Sequence, residues 1–527
     1  MGILCSAHKW HRMLFNMVTL TGLTCALASA QVRVHINSGV LEGTANKRTV
    51  SFKGIPYAKP PIGDLRWTVP VPPAPWTGVR KAAQPSAACI QDVVDENLPW
   101  TKEFMVHGAT SEDCLYLNVW VPPDFKGKKL PVYFYIHGGG FNQGSGAIAV
   151  YDGDNLARKG IVVVTINYRL GPLGFLAHPE LTAESPNHAS GNYGVMDAIA
   201  ALHWVEDNIA AFGGDPQKVT IGGQSAGSAV VHNLAVSPLA KGLFRGAEAA
   251  SGTGLGDYMK TLAEAEQDAV AFVSSKGAHS LAELRKLPAN TFIIGPKEGV
   301  PFSPIVDGWV LPDGQTELIA QGKANDVAFL TGMNADEGSA FGAYGKVPAQ
   351  EWHEQVQKRY GNLAEKFEAL YPAPDDKAAG EVQKISARDR GQVSMYLWLS
   401  RASKNLSAPI YTYYFNHAMP WPAHPEYGAF HSSELPYAFA NLDKMQRPFT
   451  DVDRKVEAQT SGYLVNFIRT GDPNGAGLPE WKAFSAGDPA TLEFADPSRM
   501  RPLMSNEKLA FWTEYFNSPQ GKHPSLF

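Results

Sequence analysis

The hydrophobic positions of this chain form short runs separated by polar segments. Five runs are almost continuously apolar and rich in β-branched or aromatic residues: residues 132–136, 161–166, 219–221, 327–330 and 410–415. Such runs are typical of strands that are buried on both faces of a mainly parallel sheet. Apolar residues recur every three or four positions over residues 195–212 and stop at Gly213-Gly214, which predicts a helix with one buried face. Strands alternating with helices predict an α/β fold with a doubly wound sheet.

The rest of the chain predicts additions to this sheet. Residues 32–85 are rich in Gly and Pro and contain short alternating runs, which predict strands and turns. Residues 259–371 carry charged helical patterns, which we expect to cover the top of the sheet. The length of 527 residues suggests about three domains. Because no repeat or Pro- or Ser-rich linker divides the sequence, we predict one large domain over residues 31–527.

The first thirty residues have the pattern of a secretory signal peptide. Lys9 and Arg12 precede an apolar run over residues 13–28, and Ala28-Ser29-Ala30 fits a signal-peptidase site. The run is short for a membrane span, which needs about 20 apolar residues. We therefore predict cleavage before Gln31, export to the periplasm or the medium, and no stable membrane insertion afterwards.

Composition and charge exclude further classes of protein and of binding partner. With 44% hydrophobic and 18% charged residues, the chain is too apolar for a disordered protein. A net charge of -5 gives no basic surface for nucleic acid, so we expect a small-molecule or protein partner. After signal cleavage only Cys89 and Cys114 remain. An even pair in an oxidising compartment predicts one disulfide, and two buried thiols are the alternative.

The first candidate for chemistry is a serine within a Gly-x-Ser-x-Gly motif. Ser225 lies between the predicted strand at residues 219–221 and a predicted helix at residues 226–236. A tight strand-to-helix turn exposes the serine hydroxyl, and small neighbours let that turn close. The motif alone fits an ordinary turn equally well. Its strand and helix context favours a nucleophile.

A glycine run provides a second, independent motif. His137-Gly138-Gly139-Gly140 follows the strand at residues 132–136, and its backbone amides can point at one spot as part of an oxyanion hole. The amide of Ala226 would complete that hole. A phosphate-binding loop is the alternative, but no Gly-Lys-Ser/Thr follows and Gln143 stands where a dinucleotide motif needs glycine. The two motifs together predict an acyl-transfer hydrolase.

The base and the acid should follow the serine in the order Ser, acid, His. Three histidines remain open as the base, and the residues alone do not choose among His417, His424 and His431. His353 lies in a charged helical pattern and His523 in the tail, so we expect both at the surface.

Two carboxylates remain open as the acid. Asp336 and Glu337 follow the predicted strand at residues 327–330, at the end where α/β sheets place functional groups. The sequence has no His-Glu-x-x-His site, and a disulfide would leave no thiolate pair for a metal. We therefore expect neither a metal nor an organic cofactor.

Four stretches together resemble the type-B carboxylesterases, the cholinesterase and lipase branch of the α/β-hydrolase fold. They are residues 112–118, 192–227, 334–338 and 430–434. The resemblance spans nearly all of residues 31–527 and implies an α/β-hydrolase fold with a mainly parallel sheet, flanking helices and large cap-like insertions. For the catalytic triad it implies a nucleophile, an acid and a base at Ser225, Glu337 and His431. For the oxyanion hole it implies the amides of Gly139, Gly140 and Ala226.

The same resemblance implies supporting roles for further residues. Ser251 matches a hydroxyl that supports the triad carboxylate, and Asp336 becomes a flanking structural residue. Two pairs also match the family, its first disulfide and a structural ion pair: Cys89 with Cys114, and Arg66 with Glu112.

The sequence departs from the cholinesterases near the serine. They carry glutamate before the nucleophile, where this chain has Gln224, and the surroundings of Trp100 do not match the choline-binding segment. We therefore expect no cation–π capture of choline esters. Gln224 and Phe302 are expected to line the substrate pocket, although a core position is the alternative for Phe302.

These observations lead to one functional hypothesis and its alternatives. We expect an exported serine carboxylesterase that hydrolyses small to medium esters through an acyl-enzyme. A lipase or amidase on the same triad is the near alternative, because pocket shape sets that choice. A non-catalytic cholinesterase-like binding protein is the distant one, since this chain keeps all three triad residues. The natural ester and the oligomeric state do not follow from the sequence.

Overall fold

The computed structural model describes residues 31–252, 259–294 and 302–521. The predicted signal peptide, residues 1–30, lies outside this part of the chain, and so does His523. Among the helices of the described ranges, none combines the length and the apolar character needed to cross a membrane.

The described residues form one large mixed sheet and one small sheet. The strands are β1 Gln31–Ile36, β2 Gly39–Ala45, β3 Val50–Pro56, β4 Val79–Lys81, β5 Ala88–Cys89, β6 Thr110–Ser111, β7 Tyr116–Val121, β8 Leu130–Ile136, β9 Val162–Ile166, β10 Gly214–Gln224, β11 Gly246–Ala250, β12 Ala328–Asn334, β13 Ile410–Phe415, β14 Ala490–Phe494 and β15 Arg499–Pro502. The large sheet has the order β1-β2-β3-β7-β9-β8-β10-β11-β12-β13-β14-β15, with β4 beside β2. In this order the strands from β9 to β14 are parallel. The outer pairs of the main order are antiparallel, and β4 lies parallel to β2.

The predicted apolar runs correspond to strands of the parallel centre: β8, β9, β10, β12 and β13. The pattern misses β11, whose sequence Gly-Ala-Glu-Ala-Ala contains no large apolar residue although all five residues are buried. Small side chains fill the space between β10 and β12 without producing a hydrophobic signal. Strands also form in the Gly- and Pro-rich N-terminal part, as predicted.

Helices cover both faces of the sheet. They are α1 Asp154–Ala157, α2 Gly171–Phe175, α3 Pro179–Glu184, α4 Tyr193–Asn208, α5 Ala226–Val236, α6 Leu262–Ser275, α7 Leu281–Leu284, α8 Gln315–Ala320, α9 Ala349–Tyr360, α10 Ala364–Leu370, α11 Asp376–Ala402, α12 Leu435–Ala438, α13 Asp451–Thr470 and α14 Asn506–Asn517. The predicted helix at residues 195–212 is α4 with a 3-10 turn over Ile209–Phe212, and it ends at Gly213, whose φ is 71°. The charged segments of residues 259–371 form α6 to α10.

Alternating side chains of each central strand separate two hydrophobic layers. In β8, Val132, Phe134 and Ile136 pack in the layer that also contains α4 and α5. Tyr133 and Tyr135 point to the opposite layer, which contains α12 and α13. A third cluster joins α9, α10, α11 and α14. The period of two along a strand therefore produces a three-layer arrangement.

Two predicted pairings at the N-terminal side of the sheet are confirmed. Cys89 and Cys114 form a disulfide that closes a loop of 25 residues, which stabilises the fold by about 3.5 kcal/mol in the chain-entropy account. Arg66 donates to both carboxylate oxygens of Glu112, at 2.6 and 2.7 Å. Sequence reasoning missed a further buried pair, in which Arg169 donates two bonds of 2.8 Å to the carboxylate of Asp197.

Candidate active site

Four segments of the chain meet at the carboxyl end of the parallel sheet. Ser225 follows β10, the glycine run follows β8, Glu337 follows β12, and His431 lies between β13 and α12. Strands β8, β10, β11, β12 and β13 are consecutive neighbours in the sheet. Because parallel strands end at the same edge, residues that are distant in sequence come together there.

Ser225 sits on a strained turn between β10 and α5. Its φ of 57° and ψ of -124° lie outside the regions that ordinary side chains adopt, at a cost of about 1–3 kcal/mol. Glycine is required beside it, because a Cβ on Gly227 would lie 2.1 Å from the carbonyl oxygen of Ile136. The amide of Ser225 donates to the carbonyl of Ala250 at 2.9 Å. This is the sharp strand-to-helix turn that the motif predicts.

The glycine run lies directly against this turn. A Cβ on Gly138 would lie 3.0 Å from Cβ of Ser225, and a Cβ on Gly139 would lie 2.0 Å from the carbonyl oxygen of Gln143. Gly139 and Gly140 have φ values of 109° and 61°. The amide of Ala226 belongs to the first turn of α5 and so has no acceptor within its helix. The structure thus places the glycine run against the serine through Gly138, and the oxyanion-hole roles of Gly139, Gly140 and Ala226 stay predictions.

His431 and Glu337 form a buried hydrogen bond between imidazole Nδ1 and carboxylate Oε2. The other oxygen of Glu337 accepts the backbone N–H of Asn334 at 2.8 Å, a contact that sequence reasoning missed. Burial acts to lower the pKa of His431, but the charge and hydrogen bond of Glu337 outweigh it, so this pKa is raised. The pair is arranged to stabilise an imidazolium cation.

Gln224 contacts the other nitrogen of the same imidazole. Its side-chain Nε2 lies 3.2 Å from Nε2 of His431, and the residue is buried. Because a side-chain amide nitrogen can only donate, the imidazole nitrogen accepts, which leaves the proton on Nδ1 facing Glu337. The sequence placed Gln224 in the substrate pocket and gave no sign of this contact with the histidine.

The other histidines and the second carboxylate have different surroundings. His417 contacts Asp453 at 2.8 Å, whereas His424 pairs with Glu426 at the surface. The side chain of His353 is 61% exposed, as expected. Asp336 binds Arg388 and accepts the amide of Ala429, which is the structural role that the resemblance implied. Of the three histidines that were left open, only His431 contacts a candidate acid.

Ser251 and Phe302 have contacts other than those expected. Within the described part of the chain, Oγ of Ser251 is buried and makes no hydrogen bond, so its expected bond to the triad carboxylate is not formed. Its amide donates to the carbonyl of Gly332 at 2.8 Å. Phe302 is buried with its ring centroid 4.9 Å from that of Phe272, which is a core contact. The supporting and pocket roles of these residues therefore stay predictions.

Two aromatic rings border the candidate base. The centroids of Trp100 and Phe341 lie 6.3 and 5.7 Å from that of His431. The indole N–H of Trp100 donates to the carbonyl of His431 at 3.1 Å. Phe341 is 43% exposed, so this rim faces solvent. Sequence reasoning missed Phe341, because an isolated aromatic on a loop gives no pattern.

A large cavity of about 340 Å³ extends from Glu337. Its wall combines residues that follow β11 and β12 with residues of α9 and α11, and Phe341 lies on it as well. Three arginines also line it: Arg359, Arg388 and Arg390. A volume of this size is typical of a small-molecule site.

A second cavity, of about 40 Å³, borders Gln224. Its wall carries four tyrosines, one amide and two carboxyl groups: Tyr133, Tyr135, Tyr413, Tyr463, Gln224, Glu248 and Glu434. Tyr133 donates to Glu248 at 2.9 Å, and Asn334 donates to Glu434. Burial raises the pKa of Glu248 to about 8, and burial with the charge of Glu337 raises that of Glu434 to about 7. Glu248 is therefore mostly protonated at neutral pH, and Glu434 is about half protonated there. Among the described residues, no three His, Cys, Asp or Glu side chains are grouped to hold a metal ion.

Comparison with known proteins agrees with this geometry. The model of the carboxylesterase family matches residues 30–512. Fumonisin B1 esterase of Sphingopyxis macrogoltabida is 37% identical over 470 residues, which cover 85% of this chain and 84% of that protein. Para-nitrobenzyl esterase of Bacillus subtilis (strain 168) is 34% identical over 485 residues, which cover 86% of this chain and 93% of that protein.

A human relative extends the same similarity. Cocaine esterase of Homo sapiens is 32% identical over 526 residues, which cover 92% of this chain and 91% of that protein. The family implies an α/β-hydrolase fold, and the structure has the mixed, mostly parallel sheet flanked by helices that such a fold requires. The chain belongs to the carboxylesterase family and is a carboxylic-ester hydrolase.

Proposed function

We propose that this chain is an exported serine esterase that cleaves small to medium carboxylic esters through an acyl-enzyme. Ser225 is the nucleophile, His431 the general base and Glu337 the acid that orients it. The buried bond between His431 and Glu337, beside the strained turn of Ser225, is the observation that carries the proposal.

The first half of the reaction forms the acyl-enzyme. Nε2 of His431 takes the proton of Ser225 as its oxygen attacks the ester carbonyl. The amides of Gly139, Gly140 and Ala226 bind the developing oxyanion, and one such donor is worth about 3–4 kcal/mol. Protonated His431 then gives its proton to the leaving alcohol, and the acyl group stays on the serine.

The second half returns the enzyme to its starting state. Water loses a proton to His431 and attacks the acyl carbonyl, and the acid leaves as His431 reprotonates Ser225. Glu337 stabilises the imidazolium in both halves. Gln224 donates to the same imidazole nitrogen in the free protein, so it must release that nitrogen before the serine proton can be transferred.

Replacement of the nucleophile tests the assignment. Ser225→Ala should abolish hydrolysis of p-nitrophenyl butyrate and labelling by an organophosphate, measured by absorbance and by mass spectrometry. Ser228→Ala, which removes a buried hydroxyl from α5, is the matched control and should retain activity. Full activity in the Ser225 variant would overturn the triad.

Export is the second part of the proposal. The disulfide between Cys89 and Cys114 supports an oxidising destination. We expect the working chain to span residues 31–527. N-terminal sequencing of the protein from a secreting host should find Gln31 first, and retention of Met1 in the exported protein would contradict cleavage.

Substrate preference separates this proposal from its neighbours. Soluble esters, triglyceride emulsions and anilides of the same acyl chain should be compared by kcat/KM. We expect the soluble esters to be fastest. A preference for emulsions would favour a lipase, and a preference for anilides would favour an amidase. If none of these substrates were hydrolysed, a non-catalytic binding protein would be the remaining alternative.

A further inference from the structure

The small cavity beside Gln224 is lined by two buried polar atoms that have no partner. Within the described part of the chain, the hydroxyl of Tyr135 and Oε1 of Glu434 make no hydrogen bond. The other oxygen of Glu434 already accepts from Asn334. An unpartnered buried polar atom destabilises a protein, and such atoms are rare in folded proteins. The pair therefore indicates that the cavity receives a polar group in some state of the protein.

Gln224 carries a group that matches both atoms. A side-chain amide has an oxygen that can accept the phenol proton of Tyr135 and an N–H₂ that can donate to Glu434. Gln224 borders the same cavity and is itself buried. In the free protein, however, its Nε2 lies 3.2 Å from Nε2 of His431 and donates to it.

The strand register places Gln224 within reach of Tyr135. Tyr135 of β8 pairs with Gly222 of β10, and Gln224 lies two residues further along β10, on the same face of the sheet. With about 3.3 Å per residue along a strand and about 4.8 Å between strands, the two backbone positions are about 8 Å apart. The cavity holds about 40 Å³. One water molecule needs only about 10–15 Å³, so a terminal amide has room there.

We propose that Gln224 is a positioning residue with two alternative positions. In the free enzyme it donates to neutral His431 and keeps the imidazole proton on Nδ1. When an ester is attacked, its amide moves into the small cavity and bonds to Tyr135 and Glu434. The proposal rests on the proposed triad, because Nε2 of His431 must accept the proton of Ser225. A protonated Nε2 and the amide N–H₂ are both donors, so they cannot remain face to face.

The pH dependence of catalysis tests the first position. Two charged groups of the described residues act on His431: Glu337 through a hydrogen bond and its charge, and Glu434 through its charge. Gln224 is uncharged, but its hydrogen bond favours the neutral imidazole. The profile of kcat/KM reports the free enzyme, and the profile of kcat reports the ester complex.

Gln224→Met keeps the length of the side chain and removes the amide. Because the amide contacts His431 only in the free enzyme, the acidic limb of kcat/KM should move to higher pH by about 0.5 to 1 unit. The acidic limb of kcat should stay in place. A shift of both limbs, or of neither, would overturn the two positions.

Tyr135→Phe tests the second position. Its hydroxyl has no partner in the free protein, so the melting temperature should not fall. The moved amide loses one bond, so kcat/KM for p-nitrophenyl butyrate should fall by about 2- to 10-fold. Tyr463→Phe is the matched control on the same wall. Its hydroxyl donates to the carbonyl of Pro479 at 2.6 Å, so this variant should melt earlier and keep its kcat/KM.

A double variant shows whether the two residues act together. In the Gln224→Met background no amide enters the cavity, so Tyr135→Phe should have no effect on kcat/KM. An undiminished effect would contradict the proposal. If Gln224→Met fails to fold, which circular dichroism would detect, Tyr135→Phe against its control decides the test.

Crystal structures of the free enzyme and of the enzyme labelled at Ser225 by diethyl 4-nitrophenyl phosphate show the movement directly. The amide of Gln224 should contact Tyr135 and Glu434 in the labelled enzyme alone. An amide that stays on His431, or turns its oxygen towards it, would overturn the proposal. Full activity of Ser225→Ala would instead overturn the proposed function. An inactive Ser225→Ala together with an unmoved amide would overturn only the role of Gln224.

Discussion

The large cavity beside Glu337 and the small cavity beside Gln224 border the two groups that contact His431, but their walls differ in chemistry. The large one holds about 340 Å³ and carries arginines, two of which bring their charges to one wall. The small one holds about 40 Å³ and is lined by tyrosines and two carboxyl groups. One side of the candidate base is therefore cationic, and the other is acidic.

The difference shows two ways to keep ionisable groups beside a buried histidine. In the small cavity, burial raises the pKa of Glu248 to about 8, and burial with the charge of Glu337 raises that of Glu434 to about 7, so these carboxyl groups reduce their charge by holding protons. An arginine cannot release its proton at ordinary pH. The arginines of the large cavity therefore keep their charge, and one of them, Arg388, is paired with Asp336. The small cavity holds only about 40 Å³, whereas the large one has room for a small molecule.

The largest expected effect is at the boundary of the large cavity. Glu337→Gln should lower kcat by about 10³- to 10⁴-fold, because the amide no longer stabilises the imidazolium of His431. Asp336→Asn is the matched control and should lower stability more than kcat, since Asp336 binds Arg388. Steady-state rates and thermal melts of both variants measure this. Equal losses of kcat would mean that the two carboxylates have no separate roles.

Filling the large cavity should have the next largest effect. Ala387 lies on its wall, and Ala387→Trp should raise KM for p-nitrophenyl octanoate by about tenfold, which corresponds to about 1.4 kcal/mol of lost binding. The acetate ester is too short to need the space and should keep its KM. Ala438→Trp, on the wall of the small cavity, is the comparison. If it raised the octanoate KM as much, the two cavities would not differ in ligand access.

The acidic side should show itself as a pH dependence of stability. The pKa of Glu248 in the folded protein is about 8, well above its ordinary 4.5. The protonated side chain therefore contributes fully to the free energy of unfolding below pH 4.5, and this contribution is lost as the pH rises towards 8. Glu248→Gln keeps an acceptor for Tyr133 and removes this loss. Relative to the wild type, the free energy of unfolding of the variant should rise by about 1 kcal/mol or more between pH 5 and pH 9, as measured by urea unfolding. Glu206→Gln, at the exposed surface, should show no such gain.

The smallest expected effect is on the pH profile of catalysis. Burial lowers the pKa of His431, and Glu337, with a further contribution from Glu434, raises it above 6.5 overall. The base must be neutral, so kcat/KM should fall as the pH drops through this raised pKa. Glu434→Gln removes the negative charge that Glu434 carries when it is ionised, and should move the acidic limb of the profile to lower pH by less than about one unit. A limb that moves to higher pH would contradict the placement of Glu434 near the base.

Local patterns predicted the sheet and part of the site for separate physical reasons. Large apolar residues predicted β8, β9, β10, β12 and β13, but β11 escaped because small side chains fill its position. The serine and glycine motifs are contiguous, since tight turns impose glycine within a few residues. The acid and the base are single residues on separate loops, so spacing left Asp336 and Glu337 open, as well as three histidines.

The sequence by itself determined the α/β class, the nucleophile turn and the glycine run, because each depends on neighbours along the chain. The residues alone left the acid and the base open, and the family resemblance implied Glu337 and His431. The tertiary structure shows that these two side chains are in contact, and it alone revealed that Gln224 contacts the other nitrogen of His431. It also brought Arg359 and Arg390, from two different helices, to one cavity wall. Such contacts depend on how strands and helices pack against one another, and packing between distant segments leaves no periodic trace in the sequence.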